Sequence, residues 1–92
     1  MTDGSYSYTF PPTVDMKGVE ESLLLATLAV EGMHGRSCIQ LDASYRLDSK
    51  ARVAEIDGST AVGAAIARVF TALLSTTIGE AAFKVDRIRK EN

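Results

Sequence analysis

The spacing of hydrophobic and polar positions changes several times along the chain, and each change marks an element. Tyr6, Ser7, Tyr8, Thr9 and Phe10 alternate aromatic and hydroxyl side chains before Pro11 and Pro12, the period-two pattern of a strand. From Asp15, a residue suited to cap a helix, Val19, Leu23, Ala26, Val30 and Met33 recur every three or four positions. That spacing predicts a first helix over residues 15–35, closed where Gly32, His34, Gly35 and Arg36 interrupt it. Beyond Ser37 the period returns to two: Ile39, Leu41, Ala43, Tyr45 and Leu47 alternate with polar or small neighbours. Asp48, Ser49 and Lys50 supply turn chemistry, and Val53, Ala54 and Ile56 resume an extended pattern over residues 51–57. After Gly58, Ser59 or Thr60 is placed to cap a second helix whose stripe is Val62, Ile66, Val69, Phe70, Leu73 and Leu74, ending at Gly79. Residues 82–88 alternate loosely and predict a last strand.

The order strand, helix, strand, strand, helix, strand predicts an α+β, ferredoxin-like βαββαβ two-layer sandwich, with both helices on one sheet face. If the aromatic start is not a strand, an αββαβ arrangement with a disordered N-terminal segment remains. A length of 92 residues fits one domain, with 1–4 and 90–92 expected to fray. The expected core gathers both helix stripes with Ile39, Leu41, Tyr45, Ile56, Phe83 and Val85. Placing Leu47 opposite Arg52 in the hairpin pairs Tyr45 with Ala54 and Ala43 with Ile56, which keeps one face apolar.

A net charge of −2 and a pI of about 5.3 argue against nucleic acid as a partner. Tyr6, Tyr8 and Phe10 are therefore read as core and not as a base-stacking platform. Cys38 and His34 are the sole residues of their types. They form neither a disulfide nor a zinc site, and they read as an inert thiol and a loop histidine. No cofactor or metal is expected, and the reading is of a cytoplasmic, non-enzymatic chain without a secretory leader or membrane association.

Two features suggest protein contacts. Between residues 59 and 79 the single charged side chain is Arg68, although a helix on a sheet should be wet on one side. Residues 22–30 also carry no charge, and Leu23, Leu24 and Leu25, advancing about 100° each, cannot share one face. An interface is expected at Leu24, Leu25 and Leu28 and at Gly63, Ala64, Ala67, Arg68, Thr71, Ala72 and Ser75. The partner would be a second copy of the chain or another protein. Gly58, Ser59 and Thr60, at a helix start, offer an alternative anion-binding role in a small-ligand regulatory domain, against which ordinary capping competes. The expected hairpin register also sets Asp42 opposite Asp57 and Ser44 opposite Glu55, a paired-carboxylate arrangement that would suit a cation or a small enzyme.

Overall fold

The computed structural model describes residues 4–34 and 45–88. Strand β1 (Ser5–Thr9) leads to helix α1 (Met16–His34), the hairpin strands β2 (Tyr45–Asp48) and β3 (Val53–Asp57), helix α2 (Ala61–Thr77), a 3-10 turn (Glu80–Ala82) and strand β4 (Lys84–Ile88). The strands form one antiparallel sheet in the order β2-β3-β1-β4. That order interlocks two split β-α-β units and is the ferredoxin-like arrangement. The N-terminal segment is thus a central strand, and the αββαβ alternative falls.

Register fixes the two faces. Tyr6 lies opposite Ile56 and Arg87, and Tyr8 opposite Ala54 and Val85, so these residues share the helix-covered side. Ser7, Glu55, Arg46 and Asp86 share the other side, where Arg46 and Glu55 form an ion pair at 2.9 Å. Beneath the helices Tyr8, Phe10, Ala54 and Ile56 meet Val19, Leu23, Ala26 and Val30 of α1 and Val62, Ile66, Phe70 and Leu74 of α2 in one core. The rings of Tyr8 and Phe70 pack edge to face with centroids 4.8 Å apart. The aromatic start therefore serves packing.

Both helices begin with the caps their sequences supply. Asp15 Oδ1 accepts from the Lys17 amide at 3.0 Å, and Thr60 Oγ1 accepts from the Gly63 amide at 3.0 Å. At the end of α2 the amides of Ile78 and Gly79 bond the Leu74 carbonyl, and Gly79 adopts φ 89°, a left-handed-side conformation that glycine enters without steric cost.

Several expectations are corrected. The hairpin register is displaced by two: Tyr45 pairs with Ile56 and Leu47 with Ala54, so Leu47 does not face Arg52. The cause lies in the loop. Asp48 Oδ1 accepts from the Ala51 amide at 3.0 Å, Arg52 takes φ 59°, and its guanidinium turns away to bond the carbonyls of Pro11 and Val14. Tyr45 and Val85 face the helix side yet are exposed, because they stand on the two outermost strands, past the cover the helices give. Phe83 is half-buried against the core. His34 closes α1 and is not a loop residue. The last strand starts at Lys84, after the 3-10 turn. Ile39, Leu41, Ala43, Cys38, Asp42 and Ser44 lie outside the described residues.

Candidate functional site

α1 is apolar on two opposite sides. Val19, Leu23, Ala26 and Val30 are buried toward the sheet and α2, whereas Leu24, Leu25 and Leu28 point outward and are 58, 55 and 52% exposed. Counting 100° per residue, Leu24 and Leu28 stand almost diametrically opposite Ala26 and Val30. They continue a stripe of four- and three-residue steps, Lys17, Glu21, Leu24, Leu28 and Glu31. An amphipathic surface helix would place charge at the middle of that stripe. Beside it, a groove of about 350 Å³ runs between α1 and β2, lined by Glu20, Glu21, Leu23, Leu24, Tyr45 and Leu47. Tyr45 thus extends the exposed apolar surface from the helix onto the sheet edge.

α2 presents a different surface. Gly63 and Ala67, expected at an interface, are buried in this chain's own core. A Cβ on Gly63 would collide with the Asp57 carbonyl, so the absent side chain lets α2 start tight against the end of β3. Ala64, Thr71 and Ser75 are half-buried, and Arg68 and Ala72 are exposed. The neutral outer face of α2 carries methyl groups where α1 carries leucines, so the surplus apolar surface belongs mainly to α1.

Between α2 and the sheet edge at β4 runs a second groove, of about 480 Å³, whose lining includes Tyr6, Tyr8, Ala64, Arg68, Thr71 and Val85. Tyr8 Oη lies 2.8 Å from Thr71 Oγ1 and 3.2 Å from the Ala67 carbonyl, and the Thr71 hydroxyl donates to that carbonyl at 2.7 Å. Thr71 having spent its proton, Tyr8 donates to Thr71 with the carbonyl as second acceptor. Burial pushes the Tyr8 phenol above its ordinary range, offset in part by the Thr71 hydrogen bond and reinforced by Tyr6.

The segment Gly58, Ser59 and Thr60 has the geometry of a capped helix start. The Gly58 amide bonds the Gly4 carbonyl at 3.2 Å, the Ser59 amide bonds Asp57 Oδ1 at 2.9 Å, and Thr60 takes the Gly63 amide. Donors that an anion would use are engaged within the chain, and the Asp57 carboxylate stands among them. Of the expected carboxylate arrangement, Asp42 lies outside the described residues; Glu55 faces Arg46 instead of Ser44, and Asp57 stands opposite Ser5 of β1. Among the described residues no cluster of His, Cys, Asp and Glu is spaced to hold a metal ion. No helix of the described residues is long and apolar enough to cross a membrane.

Sequence reasoning located the outward leucines but not the residues that join them. Tyr45 was expected in the core and Leu47 opposite Arg52, and Tyr6 and Val85 acquire their place at the second groove only through strand order. Family models, curated proteins and solved structures were all compared with the chain, and none matches.

Proposed function

We propose that the chain is a non-enzymatic assembly module that pairs with a second copy of itself through the outer face of α1. The observation that carries this reading is the exposure of Leu24, Leu25 and Leu28 in the middle of a charge-free run of nine residues, 22–30. A helix apolar on both sides exposes hydrocarbon to water at about 25 cal/mol per Å², and a two-fold partner removes both copies' surface at once. Charge favours one orientation. In an antiparallel pair centred on Leu24, Lys17 of one copy meets Glu31 of the other, whereas a parallel pair sets Lys17 against Lys17 and Glu21 against Glu21. Tyr45 and the groove beside Leu24 supply an aromatic rim into which a partner leucine fits.

Sedimentation velocity between about 1 and 100 μM, the range in which an interface of modest size dissociates, tests the reading. A concentration-dependent dimer is expected, reduced to monomer by Leu24→Glu or Leu28→Glu with the helical circular dichroism unchanged. A wild-type chain that stays monomeric throughout, or variants that dimerise as well as the parent, would remove it.

A further inference from the structure

The groove between α2 and β4 lies at the opposite end of the sheet from β2 and the α1 leucines. Its volume of about 480 Å³ falls within the range of small-molecule sites. Tyr6 forms part of its floor, and its walls are kept low by Ala64 and Ala72 on α2 and by Val85 on β4. One cation lies on its lining and a second stands against Tyr6. Arg68, the single charge of α2, sits on the lining and makes no hydrogen bond or ion pair with any described residue. Arg87 on β4 donates from Nη2 to Tyr6 Oη at 3.1 Å and carries its guanidinium carbon 5.4 Å from the centre of the Tyr6 ring. Among the described residues no acidic side chain lines the groove, in a chain that is acidic overall.

An apolar trough with a guanidinium on the lining is complementary to a molecule with a hydrocarbon body and one negative end. From this geometry we propose that the α2–β4 groove binds a small amphipathic carboxylic acid, its carboxylate held by Arg68 with Arg87 nearby and its apolar body laid along Tyr6 between Ala64, Ala72 and Val85. A guanidinium offers a carboxylate two parallel donors, which an alcohol or amine cannot use in the same way. The short alanine side chains are what leave the space open. This site is independent of the pairing through α1, and each proposal stands or falls alone.

The experiment is an amide-resolved NMR titration of the whole chain with 2-naphthoate, with 2-naphthalenemethanol as the uncharged isostere and 2-naphthylmethylamine as the cationic one. Naphthoate is expected to shift the amides of Ala64, Arg68, Ala72 and Val85, binding about fivefold more tightly than the alcohol, the size of one partly exposed charge-assisted contact. The amine should not bind. Arg68→Gln should bring naphthoate down to the alcohol's affinity without altering the alcohol itself. Ala72→Trp, at an exposed position that leaves the core untouched, should exclude both. Equal binding of all three probes, shifts confined to the α1 leucines, or no shift at millimolar naphthoate would each overturn the proposal. Repeating the titration on Leu28→Glu should leave the affinity unchanged, and a loss there would assign binding to the α1 surface instead.

Discussion

Tyr8 Oη lies 2.8 Å from Thr71 Oγ1, and the two hydroxyls share the Ala67 carbonyl, so the central strand is bonded to α2 through a side chain that is otherwise wholly buried. This polar tie within an apolar core fixes where α2 sits along β1. Tyr8→Phe removes the tie and keeps the ring packing against Phe70. The expected loss is about 1–2 kcal/mol in chemical denaturation, the net value of a buried hydrogen bond. A double-mutant cycle with Thr71→Val should show coupling, because both changes remove the same contact.

The same phenol predicts a pH dependence. Its folded pKa is raised above the ordinary 10.0, chiefly by burial. The neutral form is therefore favoured by the fold, and its contribution is complete below pH 10. As pH rises above 10 the unfolded chain ionises first, and stability falls until the pH passes the folded value. Denaturation midpoints measured from pH 9 to 11.5 should decline, and the decline should be shallower in Tyr8→Phe. An identical slope in both proteins would assign the alkaline loss to other groups.

Pairing through α1 predicts that the melting temperature rises with protein concentration, since association stabilises only the folded chain. It also predicts a charge-reversal pattern. Lys17→Glu and Glu31→Lys should each weaken the dimer, and the double reversal should recover most of the loss, as expected if the two side chains meet across an antiparallel pair. No recovery, with each single variant weakened, would exclude the antiparallel orientation centred on Leu24 while leaving the leucine surface in place.

Arg52 binds the chain between β1 and α1. Its Nε and Nη2 donate to the Pro11 carbonyl at 3.0 and 2.7 Å, and Nη2 also reaches the Val14 carbonyl. Lysine has the charge but not the fork, so Arg52→Lys is expected to cost about 1–2 kcal/mol. Arg46→Ala breaks an exposed ion pair to Glu55 and should cost less than about 0.5 kcal/mol. Equal losses by urea denaturation would show that Arg52 acts only as a charge.

These residues also show where sequence reasoning reaches and where it stops. The α2 stripe and the Thr60 cap are legible because both depend on neighbours within one helical turn. The outward leucines are legible from angular arithmetic alone. The hairpin register is not, because it depends on Arg52 reaching carbonyls about forty positions earlier, a contact that no local period encodes. Tyr45 and Val85 show a second limit: alternation assigns the face of a sheet, but whether a helix covers that part of the face depends on strand order. Gly63 and Ala67 show a third, since small residues on a neutral helix read alike whether they admit a partner or the chain's own backbone.

That last distinction yields a comparison among glycines of the two helices. Gly63 closes on the Asp57 carbonyl, and an added Cβ has nowhere to go without displacing backbone. Gly18 and Gly32 in α1 have no described residue near the position of a Cβ. Gly63→Ala should therefore lose about 1–3 kcal/mol through overpacking, despite alanine's better helix propensity. Gly18→Ala and Gly32→Ala should each gain about 0.5–1 kcal/mol, because alanine restricts the unfolded chain and meets no obstacle in the helix. Thermal and urea unfolding of the three variants checks the pattern. If Gly63→Ala stabilised the chain as the other two do, α2 would not begin in close contact with the end of β3, and Gly63 would be returned to the surface on which the sequence first placed it.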